Sequence, residues 1–457
     1  MQKLKRFILD KKNLSGFVIL LFLYNTLIFR LFSNGVYYHI GYEFFLSVSF
    51  LWTLLLFIDD VINFRIIDTK IKLLFWILYV FTMIVFLFNR PYNLLSIISI
   101  LYFFLMWYIL MSSSLYSTKK EFHKFFICVS KQIVIVVLII NAISVLGYIL
   151  YVTGIVHQLP DLFALESNHH VGRGILGRFF TLPFLYAGLY YYSGNAGFYS
   201  YIAYILGFFL YENKTIHRET MIVSSLLSLF MIIVSDNRVS VICGIVTTVL
   251  FLIRSISLHL KSKRKAKYVM RFIYSLLFVC IIVFIIKFFP SAYEQIKTSP
   301  FDYLNYLSSQ RLIYWRDAIY DFLQRKWIGY GWGNNGTMPY YRIHFHNLFI
   351  CILVWTGIIG SLISLYIIIN ITIRIIKNRE LLISNKSYWI LVMVVCVFFE
   401  SMLDICIVGE TTHIETPLFW VGIGYLYYFH INTPLIKGFV WVNKTNHFAD
   451  WIRFPIE

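Results

Sequence analysis

The residues of this chain best suited to chemistry gather between Arg311 and Gly360. His344 and His346 stand two apart, and Asn347 follows at the mouth of an apolar run. Histidine changes charge near neutral pH, so His346 suits the removal of a proton from a hydroxyl. An interfacial histidine that only anchors a helix fits the same place. Arginines supply the second kind of chemistry, because a guanidinium meets phosphate oxygens in bidentate geometry. Arg238 lies in Ser235-Asp236-Asn237-Arg238 between two apolar runs with almost no loop between them. A charge so near hydrocarbon is costly and marks a functional site by default; a snorkelling arginine or a partner for Asp236 is the plainer explanation. Arg173 and Arg178 bracket a glycine-containing segment that runs into another apolar stretch. Three such arginines on one vestibule would suit a diphosphate. Glu400 and Asp404 stand one helical turn apart near the end of a late apolar run, with Glu410 and Glu415 beyond. They could do acid/base work, but pairing with arginines or holding helix register fits them better.

The elements that must position these groups follow from periodicity. Arg311, Trp315, Ile319 and Phe322 fall on one helical stripe, with Arg316, Asp317 and Asp321 off it. That pattern predicts an amphipathic helix lying on a membrane surface. It runs into Trp327-Ile328-Gly329-Tyr330-Gly331-Trp332-Gly333, whose glycines permit positive φ and a close backbone approach to a ligand. A plain surface turn with interfacial tryptophans fits as well. No strand precedes it, so a dinucleotide-binding fingerprint is rejected. Gly357 and Gly360, in the run after Asn347, suit close helix packing.

Composition fixes the setting. The 457 residues are 59% hydrophobic and 14% charged, with mean hydropathy +0.73; a soluble chain carries about 25% charged residues. Apolar runs near the roughly 20 residues needed to cross a bilayer recur throughout, which excludes the alternating pattern of a β-barrel. The expected fold is therefore an all-α polytopic membrane protein. Spans are read at 14–33, 40–58, 71–88, 94–112, 128–152, 179–210, 219–235, 239–258, 272–289, 346–369, 387–404 and 416–432, about twelve helices within a range of roughly 11–14. The first run is too long for a signal-peptide core and no cleavage site follows it, so it reads as a retained span. Charge decides how 179–210 is counted, since it holds Pro183 and the break Ser193-Gly194-Asn195-Ala196-Gly197. The lysine-rich loops at 119–124 and 261–267 should both be cytoplasmic, so 179–210 should cross once, as a broken or partly re-entrant helix. Both termini then lie on the cytoplasmic side of an inner or plasma membrane. Most of the 40 Lys and Arg residues fall on the inner side of this arrangement. The net charge of +18 has its explanation there and in the lipid bilayer, and a nucleic-acid partner is not expected. Residues 1–457 form a single membrane domain with two long outer loops, 153–178 and 290–345. The six cysteines are scattered without metal-ligand spacing, so neither a disulfide framework nor a metal site is expected.

In order and spacing these motifs resemble the superfamily of O-antigen and capsular polysaccharide polymerases and O-antigen ligases. The pattern is Arg311, then Trp315, then Gly329 and Gly331, then His346-Asn347 opening a span with Gly357 and Gly360. Upstream, Arg173 to Gly177 or the Arg178 region resembles the family's first arginine element, though the usual Pro-Asn after it is here Pro183-Phe184. Ser235 to Arg238 is a loosened Ser-Arg element. The resemblance covers about residues 170 to 370. It implies a GT-C-like membrane fold and sugar transfer on the outer face from a polyprenyl-diphosphate-linked oligosaccharide, with no cofactor or metal. It implies His346 as base, with Arg238 and Arg311 in the catalytic set. Arg173, Arg178, Arg316, His344, Asn347, Trp315 and Tyr330 are expected to bind substrate; the aromatics could stack on sugar faces, although an interfacial belt explains them equally. The bias toward Lys, Ile, Phe, Asn and Tyr fits an AT-rich genome of the low-GC Gram-positive kind, which lacks the lipid A core that a ligase uses, and this tips the expectation toward capsule or exopolysaccharide polymerase. A ligase is the alternative, and a lipid-linked oligosaccharide flippase the alternative of another class. A chain-length-determining co-polymerase is a candidate partner.

Overall fold

The computed structural model describes residues 70–88, 119–157, 164–166, 185–190, 193–235, 237–259, 300–301, 305, 311–331, 347–377, 387–402, 422–423 and 425–426. Long runs of apolar residues can satisfy their backbone polar groups in lipid only as helices or closed barrels, and here they are helices. In chain order these are α1 (Lys70–Phe88), α2 (Lys119–Val152), α3 (Ser193–Glu212), α4 (Arg218–Val234), α5 (Arg238–His259), α6 (Arg311–Gln324), α7 (Leu348–Lys377) and α8 (Tyr388–Ser401). Between α2 and α3 lie two short strands, β1 (Ala164–Glu166) and β2 (Leu185–Gly188), paired antiparallel. Phe126–Val152 and Leu348–Ile373 are each long and apolar enough to cross a membrane. At 34 residues, α2 is about 51 Å long, well beyond the roughly 30 Å of hydrocarbon.

The helices are inverted relative to those of soluble proteins. On α2 the exposed face is Ile135, Ile139, Ile143, Leu146 and Ile149, while Asn141 and Ser144 are buried. On α5 Ile242, Ile245 and Val246 are exposed, while Ser240 and Thr247 are buried. Apolar outside and polar inside is the arrangement hydrocarbon selects. The chain is a membrane protein.

α3 is the hub. From Ala196 to Leu210 it is buried on every side, and it packs on α4, α2, α8, α5 and β2. Polar pins set the register of its neighbours. Asn141 Oδ1 accepts from Tyr190 Oη at 2.7 Å and Ser200 Oγ at 3.2 Å, and Asn141 Nδ2 donates to Ser228 Oγ at 3.5 Å. One buried amide thus ties α2 to α3 and α4, where an unmet polar group would be expensive.

The structure departs from the expected all-α fold at 179–210. That stretch is no single broken helix: β2 occupies Leu185–Gly188, and the glycine-rich break forms the first turn of α3 rather than its middle. Strand β2 is anchored on α2, where Tyr186 Oη donates to Ser144 O at 2.6 Å and Leu189 N to Ser144 Oγ at 3.1 Å. Gly188 has φ +62° and leaves no room for a Cβ beside Ser144, so the chain turns there rather than continuing helical. The runs expected at 14–33, 40–58, 94–112 and 272–289 and most of 416–432 lie outside the described residues.

Candidate active site

The loop that carries Arg311 is tied into the helix that Asn347 opens. Arg311 begins α6 and is half-buried, as is Trp315 one turn on. Asn305 Oδ1 accepts from Ile313 N at 3.2 Å, satisfying one of the free N–H groups at the start of α6. The amphipathic reading of this helix holds in part. Its buried face is Ala318 and Asp321, both fully buried, whereas Ile319 and Leu323 are exposed. The carboxylate expected on the polar side is buried where α6 packs on α7, while Trp315 and Phe322 of the apolar stripe are half-buried. Arg316 is exposed and paired with its neighbour Asp317 at 3.0 Å, a surface contact worth about 0–1 kcal/mol.

Beyond α6 the glycine turn does something the sequence did not suggest. α7 breaks at Gly357, which has φ +62° and ψ −165°. In an unbroken helix Ile358 N would bond Val354 O, and Ile359 N would bond Trp355 O. Instead Tyr330 N takes Val354 O at 3.0 Å and Gly331 N takes Trp355 O at 2.9 Å, while Ile358 N donates to Lys326 O at 2.8 Å and Ile359 N to Trp327 O at 3.3 Å. Residues 326–331 are spliced into the broken helix, and every backbone group that the break frees at these four positions is met, as hydrocarbon requires. Gly329 and Gly331 do have positive φ (72° and 89°). The backbone they approach belongs to α7 and α1: a Cβ on Gly329 would lie 2.5 Å from Trp355 C, and one on Gly331 3.1 Å from Phe86 Cα. Gly357 likewise has Trp327 and Ile328 backbone against it, whereas at Gly360 an added Cβ would meet the Thr356 side chain first and then Phe81 of α1 at 3.1 Å. Tyr330 is buried, with the Arg325 guanidinium 4.7 Å above its ring.

The second convergence is at the end of α8. Asn347 caps α7, its Oδ1 accepting from Ile350 N at 3.1 Å, and its Nδ2 donates to Met402 O at 3.0 Å. Asn237 caps α5 in the same way, its Oδ1 accepting from Ser240 N at 3.1 Å. Its Nδ2 donates to Gly194 O at 3.0 Å and to Glu400 Oε1 at 3.3 Å. The residue after Asn237 is Arg238, first in α5, and the residue before Asn347 is His346. The two motif elements, far apart in the chain, are thus both held by one helix terminus. His344, His346, Arg173 and Arg178 lie outside the described residues. The sequence reading passed over Asn237, although an Asn directly before an apolar helical run is a strong capping signal. It noted Glu400 but had no means of pairing it with Asn237.

Residues 223–365 match the family model for the O-antigen ligase. That stretch is similar to the O-antigen ligase family. It takes in Arg238, Arg311, Trp315, His346, Asn347, Gly357 and Gly360, the residues on which the resemblance was read. Ligases and polymerases of this superfamily are membrane glycosyltransferase-type enzymes. No curated protein matches the chain. Arg173, Arg178 and Glu400 fall outside the matched stretch.

Proposed function

We propose that the stretch similar to the O-antigen ligase family serves a polysaccharide polymerase within a GT-C-like bundle of about twelve spans. It moves a growing glycan from polyprenyl diphosphate to a shorter lipid-linked repeat unit on the outer face of the bacterial cell membrane. The observation that supports the reading is that Asn237 and Asn347, the chain neighbours of Arg238 and His346, both bond the end of α8. Guanidinium groups suit a diphosphate leaving group, and a histidine suits a hydroxyl nucleophile.

His346 takes the proton from the acceptor sugar hydroxyl as that oxygen attacks the anomeric carbon. The new glycosidic C–O bond forms on the face opposite the leaving group, so the configuration inverts. The anomeric C–O bond to the diphosphate breaks, and polyprenyl diphosphate departs with the bonding electrons. Arg238 and Arg311 stabilise the negative charge that grows there, with Arg173 and Arg178 helping to hold the donor. Each step uses only side chains and the two lipid-linked substrates.

The description of the matched family favours a second reading, transfer of finished polymer to a final acceptor by a ligase. A gel of surface glycan from a strain lacking the gene separates the readings. Single repeat units without a ladder are expected. Long polymer retained on its lipid would make the chain a ligase. Lipid-linked units held inside the cell would make it a flippase.

A further inference from the structure

Glu400 is a carboxylate with 1% exposure on an otherwise apolar helix, beyond the stretch that matches the family. A buried carboxylate is expensive unless it holds something in place. We infer that Glu400 is a positioning residue of the transfer site, acting through Asn237 on the start of α5 and so on Arg238. The inference rests on the transfer reading proposed above.

The Asn237 amide is fixed by three bonds of two kinds. Its nitrogen donates to Gly194 O and Glu400 Oε1, and its oxygen accepts from Ser240 N. Turned over, the oxygen would face a carbonyl and a carboxylate, and the NH2 group would face an N–H. Glu400 therefore selects one orientation of the residue that caps α5. The loop has no slack to absorb a change: a Cβ on Gly197 would lie 2.6 Å from both Asn237 Cβ and Ser235 Oγ. Three elements, α3, α5 and α8, thus set where α5 begins.

The test uses purified full-length protein in lipid nanodiscs, with a polyprenyl-diphosphate-linked oligosaccharide as donor and a lipid-linked repeat unit as acceptor. Asn237→Asp sets a carboxylate against Glu400 and against Gly194 O. The expected result is a tenfold or greater rise in donor KM, with the acceptor KM unchanged and the folded protein recovered normally. Adding Glu400→Gln should bring the donor KM most of the way back, because the new amide can donate to the introduced carboxylate. A role confined to folding would lower the active fraction and leave both KM values alone. If Asn237→Asp does not fold, Glu400→Gln by itself carries the test, with a two- to fivefold rise in donor KM expected from the weaker, uncharged acceptor. Wild-type donor KM in Asn237→Asp, or in Glu400→Gln where that variant decides, overturns the inference. A double variant no better than the single one overturns it too. Wild-type protein that transfers nothing from the diphosphate donor overturns the transfer reading itself.

Discussion

Asn347 shows how much one side chain does where a motif meets a helix. It caps α7 and reaches α8 at once, two bonds from one amide. Asn347→Asp keeps the capping acceptor and loses the donor to Met402 O, whereas Asn347→Ala loses both. Both variants leave Met402 O unmet, so they differ in the cap, worth about 1 kcal/mol, and the alanine variant should melt about 1–2 °C below the aspartate variant in a thermal scan in detergent. Equal melting temperatures would mean that the cap contributes little. Arg238 makes a different demand. If its fork holds phosphate in bidentate geometry, Arg238→Lys keeps the charge and loses the geometry, so polymer synthesis should fall at least tenfold at unchanged protein level. Full activity would return Arg238 to the snorkelling explanation. The sequence made the arginines and histidines legible because their types announce chemistry. The cap at Asn237 was within its reach, as an Asn before an apolar helical run, but the bond from Asn237 to Glu400 was not, because nothing local links two residues so far apart in the chain.

The splice at Gly357 belongs to the scale of elements. Helix periodicity found α6 and placed the start of α7 within two residues, though α7 runs on to Lys377, eight past the expected end, since period and apolar run length are local properties. The same periodicity put Asp321 off the apolar stripe, whereas it is buried. What overrode it is the exchange of four backbone bonds between 326–331 and the break in α7, about 13 Å along the helix from its start at roughly 1.5 Å per residue. Backbone bonding of this kind leaves no side-chain signature beyond the glycines that make room for it. Gly357→Ala should be severe: a positive φ costs an alanine about 1–2 kcal/mol, and the Trp327 backbone stands where its Cβ must go. The expected outcome is loss of the monodisperse peak on size-exclusion chromatography. Gly207→Ala, where a Cβ meets nothing within 4 Å, should leave the peak intact. Equal behaviour of the two variants would deny the splice its role. The β1–β2 ribbon was missed for a related reason: three- and four-residue strands are too short for alternation to register.

At the scale of the whole molecule, hydropathy and charge identified a membrane protein, and the inverted helix faces agree with that. Buried Asn141 and Glu400 against exposed Ile139 and Leu146 leave little else for the surroundings to be. The family resemblance was legible because its motifs keep order and spacing over a long stretch, and residues 223–365 match the O-antigen ligase family model. The choice between polymerase and ligase was not legible, because the motifs of the resemblance are shared by both. The direct measurement is a surface-glycan gel of the gene deletion complemented with His346→Ala, run beside the deletion complemented with wild type. Single repeat units with no ladder, at equal amounts of membrane-inserted protein, are expected from the alanine variant. A normal ladder from that variant would contradict His346 as the base and the transfer chemistry built around it.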